Sequence, residues 1–340
     1  MTRRGTSINR GRTRDGWLFV GPAVLVLGLF LALPVLMAAW VSVSDWRGAG
    51  SPVSSDVGYV GLDNYREILT GGTLAQRDFG TSLRNNFYYV LFVVPMQTAL
   101  ALFLAMLVYT RMLRGRGFFR TAFYFPSVTS SVAITVLWLF LFSSTGAVNK
   151  VLSWVGLNGP NWFVDPRGIF HVALAALGVD SGPSGLTEHD FIGVTWWDWL
   201  AGPSVAMSAF VLMAVFTTSG TFMLLFIAAL NNIGEEIEEA GMVDGASAWQ
   251  RFRHLTLPML RPTMFLVLTL GLIGTWQVFD QIYTGTQGQP AKTTLTPAYL
   301  SFQTAFNNQN WGQGAAIAFI LFGIIVVLTL AQRALLRRNT

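Results

Sequence analysis

Residues 17–42 read WLFVGPAVLVLGLFLALPVLMAAWVS, about 26 positions without a single charged side chain. A run of about 20 apolar residues is long enough to cross a bilayer as a helix. Ahead of it, Thr2 to Arg14 carries five arginines, which gives the pair a superficial likeness to a signal peptide. The apolar core of a signal peptide is only about 7–15 residues, so the stretch reads as an uncleaved first span. Further runs lie at Phe87–Tyr109, Ala122–Phe142, Ser204–Leu230, Thr263–Thr284 and Gln313–Leu336. The expected fold class is therefore all-α: a polytopic bundle of six transmembrane helices. Gly21, Pro22, Pro34 and Pro95 fall inside these runs, which is tolerated where neighbouring helices satisfy the freed carbonyls.

Composition agrees, with 52% hydrophobic and 11% charged residues against about 25% charged in an ordinary soluble domain. There is no cysteine, which removes disulfides, thiolate nucleophiles and cysteine metal sites from consideration. A net charge of +5 invites a nucleic-acid reading, but its placement argues for topology instead. Fifteen of the 22 basic residues fall in the N-terminal tail, the second loop (Arg111, Arg114, Arg116, Arg120), the fourth loop (Arg251, Arg253, Arg261) and the C-terminus (Arg333, Arg337, Arg338). The other seven are spread over longer segments. Cytoplasmic loops carry the excess of Arg and Lys, so both termini are expected in the cytosol. That parity makes Phe191–Leu230 a single span, with Trp196, Trp197 and Trp199 as an interfacial belt leading into it near Pro203 and Ser204. Gly168–Val179 is too short to cross and reads as an external or interfacial helix. The expected organisation is a cytoplasmic tail (1–16), a membrane domain (17–338), and an external insertion at about 143–203.

The loop at 231–262 is dense in helix signals. Asn232 and Glu235 have capping-box spacing, and Glu235, Glu236, Glu238 and Glu239 suit the positive start of a helix. Gly245 can end that helix in a left-handed conformation. Ser247 and Gln250 repeat the capping-box spacing, and Pro258 is expected to stop the second helix. The result is a two-helix elbow whose apolar atoms need a cover, supplied either by the bundle's own ends or by a partner.

Glu239-Ala240-Gly241, Asp244, Gly245-Ala246 and, nine residues past the glycine, Leu255-Thr256-Leu257-Pro258 resemble the EAA loop of ABC importer permeases. The family pattern is E-A-A, three residues, G, nine residues, I-x-L-P; here Gly241 stands for an alanine and Leu255 for the isoleucine. Trp249 to Arg253, and Trp276-Gln277-Val278-Phe279-Asp280-Gln281-Ile282-Tyr283, are similar to the carbohydrate-type members. Residues 178–199 exceed the family's usual external loop. The resemblance implies coupling of the loop (Glu239, Ala240, Gly241, Asp244, Gly245, Ala246, Leu255, Leu257, Pro258) to a cytosolic ATPase. It also implies a second permease subunit, two ATPase subunits holding ATP and Mg, and an extracytoplasmic sugar-binding protein that delivers a mono- or oligosaccharide or a glycerol-phosphate compound.

The chain itself offers no ATP chemistry. Gly285–Thr293 is its nearest approach to a phosphate loop, and Ala291 occupies the place where glycine must precede Lys292. His171, His189 and His254 are too scattered for a metal site, and the acids form no catalytic pair, so no cofactor, metal or catalytic residue is expected on this chain. Asp280 is the only acid within the expected spans, which makes it either part of the substrate path or an interface anchor. Gln97, Trp276, Gln277 and Tyr283 complete the candidate path, with polar and aromatic faces suited to a sugar. A secondary transporter driven by an ion gradient would show paired midplane charges and inverted repeats, and the sequence has neither. Membrane lipid is an expected neighbour and nucleic acid is not.

Overall fold

The computed structural model describes residues 8–109, 115–179 and 181–337; Arg3, Arg4, Arg111, Arg114 and Arg338 lie outside them. Among the described residues five helices are long and apolar enough to cross a membrane, and a bent pair of shorter helices makes six if it is counted as one span. The first span, Asp15–Ser42, contains a π turn at Gly28–Ala32 immediately before Leu33 and Pro34. Proline donates no hydrogen bond and its ring collides with the carbonyl four residues back, so a widened turn ahead of it relieves both problems. Only 6% of this span's apolar window is buried within the chain, which leaves its surface to lipid or another subunit.

The second span begins at Leu74, well before Phe87, and runs to Tyr109. Hydropathy discards its polar first turns, yet several of their side chains are answered from elsewhere in the fold. Asp78 pairs with Lys292 at 2.7 Å, and Tyr88 donates to the carbonyl of Trp199. The third crossing differs from the single helix expected over Ala122–Phe142. It is Arg116–Val128 and Ser131–Leu141, bent by 97°. Thr129 between them is extended, and the hydroxyls of Ser127 and Thr129 bond back to Tyr124 and Phe125 carbonyls.

The fourth span, Val205–Asn231, is the central pillar, with 61% of its apolar window buried. Ser204 caps it by accepting from the Met207 amide at 2.9 Å. It packs along the second span, and at Gly220 a side chain would overlap the Phe123 carbonyl, so glycine is what lets the third crossing close on the pillar. The fifth span also differs from expectation: Arg261–Trp276 stops, and a short helix, Asp280–Gly285, follows. The last span is Trp311–Arg337.

Between the third and fourth crossings the 143–203 segment folds on itself. It includes short helices at Ala147–Trp154, Ile169–Ala176 and Trp196–Trp199, and a minimal antiparallel pair in which Asp190 faces Thr195. The three tryptophans pack within this segment, and Trp199 also meets Phe87 of the second span. Trp197 stacks on His171 at 4.3 Å, while Trp196 and Trp199 pack against Phe191. One crossing follows from Ser204, as parity requires.

The core falls into three clusters. Met207, Phe210, Met213, Val93, Ile282 and Leu300 fill the half nearer the 143–203 segment. Ala101, Ala105, Val108, Met223, Phe226 and Leu260 fill the half nearer the elbow. Trp276, Val90, Leu321 and Ile325 join the second, fifth and sixth spans. Burying each large side chain contributes about 1.5–3 kcal/mol relative to exposure in water. Inside a bilayer close packing supplies more of the gain, which fits the small Ala101 and Ala105 on the second span.

Candidate functional site

The elbow is built as its signals require in most respects. Its first helix is Glu235–Val243, and Asp244 and Gly245 close it by donating to Ala240 at 2.9 Å and Met242 at 3.1 Å. Gly245 has φ +74°, a left-handed conformation that L side chains adopt only at a cost. The Ala246 amide donates to the Gly241 carbonyl at 3.0 Å. Ser247 then opens the second helix with a complete capping box. Its hydroxyl accepts from the Gln250 amide at 3.3 Å, and its own amide donates to Gln250 Oε1 at 2.8 Å. Arg251 ties the arms together by donating to the Ala246 carbonyl at 2.7 Å.

The departure from alanine at Gly241 has a packing reason. A Cβ there would stand 2.9 Å from Leu255 Cδ1 and 3.1 Å from Arg251 Cδ, so the second arm lies almost on the backbone of the first. Two expectations are corrected. Asn232 does not cap the elbow: it terminates the fourth span, and Gly234 precedes the first elbow helix without a side-chain cap. Nor does Pro258 stop the second arm. Ala248–Arg251 passes through a π turn at Phe252–Thr256 into Leu257–Met259 and, across Leu260, into the fifth span. The π turn sits two residues before Pro258, as the other sits before Pro34, and for the same reason. Helical bonds persist across Leu260, from its amide to Thr256 at 3.0 Å and from Met264 to its carbonyl at 2.8 Å. The tip remains uncovered by this chain, with Val243 87% and Trp249 65% exposed.

Gln97, Gln277 and Asp280 share a cavity of about 300 Å³ in the bundle with Tyr89, Thr217, Thr218, Gly271 and Thr275. Gln97 is fully buried, and its Oε1 accepts from the Thr218 hydroxyl at 2.6 Å while Nε2 has no partner. A second cavity of about 290 Å³ shares Thr217, Thr218, Phe222 and Gln281 with the first and reaches Ser127, Thr129 and Ser131. Each cavity is thus lined by the broken turn of an interrupted span, Gln277–Phe279 in one and Thr129–Ser131 in the other. Non-helical backbone at membrane depth persists only where it is enclosed by protein or lines a watered cavity. The two breaks and the threonine-rich wall between them line two adjoining cavities. Trp276 and Tyr283 line neither cavity. Trp276 is buried against Val90, Val94 and Leu321, and Tyr283 packs with Phe279, Tyr299 and Phe302. Thr217, Thr218 and Gly271 escape sequence reasoning because threonine and glycine are ordinary in membrane helices; only their shared face distinguishes them.

At the opposite end from the elbow, a larger hollow of about 1110 Å³ lies between the start of the second span, the 143–203 segment and Ala291–Thr293. Its charges are mostly committed to partners. Lys292, the lysine of the phosphate-loop decoy, pairs with Asp78 at 2.7 Å, and Arg167 pairs with Asp165 at 2.7 Å. The hydrogen bonds from Arg167 hold the Asp165 carboxyl below its ordinary range.

A model of the family "Binding-protein-dependent transport system inner membrane component" matches residues 68–340. The lactose transport system permease protein of Rhizobium radiobacter is 28% identical over 330 residues, 96% of this chain and 95% of that protein. A probable starch degradation products transport system permease protein of Thermoanaerobacterium thermosulfurigenes is 27% identical over 316 residues, covering 93% and 91%. Among solved structures, a bacterial alginate ABC transporter in complex with an alginate pentasaccharide-bound periplasmic protein has a chain of the same fold. It matches with a TM-score of 0.69 at 20% identity, over 97% of each chain.

Proposed function

This chain belongs to the inner membrane components of binding-protein-dependent transport systems, and from that premise we propose that it is the sugar-translocating permease subunit of an ATP-driven importer. An extracytoplasmic binding protein delivers a mono- or oligosaccharide, a second permease completes the path, and ATP is hydrolysed on two separate cytosolic subunits. The observation that carries the sugar assignment is the conjunction of relatives named for lactose and starch products with a path lined by hydroxyls and amides. Thr217, Thr218, Gln97 and Gln277 face it, and neutral donors and acceptors of this kind suit sugar hydroxyls.

In this reading both termini and the elbow face the cytosol, as the arginine asymmetry favours. The exposed tip around Val243 and Trp249 docks on the ATPase, and Glu239 to Pro258 give that tip its fixed shape. ATP binding in the partner subunits shifts the population between inward-open and outward-open states through this contact. Asp280, at the broken end of the fifth span, guides or gates the sugar. The reading is tested by co-expressing the chain with a neighbouring second permease and ATPase, and by thermal-shift assay of the neighbouring binding protein against a sugar panel. A stable complex and a saccharide that stabilises the binding protein are expected. A binding protein stabilised only by an amino acid, peptide or metal would overturn the sugar assignment.

A further inference from the structure

Two adjacent asparagines on the second span hold two different segments of the chain. Asn86, fully buried, donates through Nδ2 to the carbonyl of Trp276 at 3.1 Å, the last residue of the fifth-span helix before its break. Asn85, 4% exposed, donates through Nδ2 to the carbonyls of Lys292 at 2.8 Å and Leu295 at 3.0 Å, in the loop that follows the break. Its Oδ1 is taken by the Arg84 guanidinium at 2.9 Å, which fixes the amide's orientation. Thr296 closes the arrangement by donating to the Val278 carbonyl at 3.1 Å, and the same loop is tied to the second span by Lys292 and Asp78.

What makes this junction more than local satisfaction of carbonyls is the other end of the fifth span. From the capping box at Ser247 to Trp276 the chain is helical apart from one π turn and Leu260, and hydrogen bonds bridge both. That is a continuously hydrogen-bonded helical element with a contour of about 44 Å at 1.5 Å per residue, called the fifth-span rod below. Its cytosolic end is the coupling elbow and its far end rests on Asn86. Asn86 Oδ1 and Trp276 Nε1 are both buried without partners, so this contact is not at its hydrogen-bonding optimum in the present state.

We propose that Asn85 and Asn86 are the positioning residues of an extracytoplasmic coupling joint: Asn86 holds the outer end of the fifth-span rod, Asn85 holds the 287–295 loop, and elbow movement reaches the outer mouth through this pair. The joint rests on the importer reading above. A ligand-driven state change needs contacts that differ between the states, and the unpaired Asn86 and Trp276 atoms are groups whose bonding improves when the rod end moves. The physical warrant is a rigid element joined at both ends to parts that change together.

The test uses the assembled complex in proteoliposomes with its binding protein and sugar. Asn86→Leu and Asn85→Leu are expected to leave membrane abundance and basal ATP hydrolysis near wild type. The stimulation of hydrolysis by sugar-loaded binding protein should fall about five- to tenfold, the scale on which a lost buried hydrogen bond acts, with KM for the sugar unchanged. Because both residues serve one joint, the double variant should be no worse than the worse single. Asn86→Gln, which keeps the donor, should recover part of the stimulation. Wild-type stimulation in the single variants, additive losses in the double, or losses that follow abundance and thermal stability would each overturn the joint.

A second measurement leaves the asparagines in place. In a chain without cysteine, Asp78→Cys with Lys292→Cys should cross-link through a short bis-thiol reagent with a yield that changes between nucleotide-free and ATP-trapped complexes. Equal yields would overturn the proposal. Absence of any sugar uptake by the wild-type complex would instead overturn the importer reading, and the joint with it.

Discussion

Gly271→Ala is a one-atom addition that should close the sugar path. Gly271 lies buried in the fifth span, and a Cβ on it would overlap Gln97 Nε2 while remaining 3.8 Å from Phe222 Cε2. Only Gln97 has to move, and it is pinned by the 2.6 Å bond from Thr218. Overpacking of this kind costs about 1–3 kcal/mol, and a displaced amide forfeits a hydrogen bond worth about 0.5–1.5 kcal/mol. Replacing glycine by alanine in a helix returns about 1 kcal/mol. The balance is a destabilisation of about 0.5–3.5 kcal/mol, below the roughly 5–15 kcal/mol by which folded proteins are typically stable. The functional loss should be larger, because the displaced amide has a cavity of about 300 Å³ to swing into, which is where the sugar would pass. Uptake kinetics and thermal unfolding of the purified complex measure the two effects separately. The expected result is a slight loss of stability with at least about tenfold slower uptake, partly restored by Gln97→Ala in the same chain, which removes the obstruction. Gly274 lines the same cavity, and a Cβ on it would meet nothing within 4 Å, so Gly274→Ala should leave stability and uptake near wild type. Wild-type uptake in Gly271→Ala would refute the placement of the path between Gln97 and the fifth span.

Gly245→Val should insert normally but lose co-purifying ATPase and sugar-stimulated hydrolysis. A Cβ at Gly245 meets no neighbour, so the penalty is the left-handed backbone alone, about 1–2 kcal/mol; normal coupling at normal abundance would contradict this. Asp280→Asn keeps size and removes charge at the broken end of the fifth span. Lower uptake with unchanged abundance is expected, and unchanged uptake with unchanged ATPase stimulation would make Asp280 an interface anchor. Single cysteines at the exposed positions Ser55 and Ser184 should react with an impermeant thiol reagent in intact cells, and one at Val243 should not. Labelling of Val243→Cys from outside would reverse the topology.

The spans and the elbow were legible because their causes are local. Apolar length shows a crossing wherever it occurs, and the Ser247 and Gln250 capping box and the left-handed Gly245 are set by residues a few positions apart. The break at Gln277–Phe279 was not legible, because what stabilises it is distant. The carbonyls freed at Trp276 and Val278 are answered by Asn86 and Thr296, and neither glycine nor proline marks Gln277–Phe279. The same distance hid the true start of the second span, whose polar turns are answered by Lys292, Leu295 and Trp276 far along the chain. Asn232 misled for the opposite reason: two helix ends lie three residues apart, and spacing alone cannot say which of them a polar residue serves. Polarity alone picks out Gln97, Gln277 and Asp280, which share one cavity, whereas residue type alone picks out Trp276 and Tyr283, which the fold packs among apolar and aromatic neighbours.

The most direct test of the central claim is uptake of labelled sugar by proteoliposomes containing this chain, its partner permease and the ATPase, supplied with the sugar-loaded binding protein on one side and ATP on the other. Accumulation that requires both the binding protein and ATP hydrolysis, and that is lost with Gly271→Ala, is the predicted result. Accumulation driven by an ion gradient without ATP, or undiminished when this chain is omitted, would contradict the account.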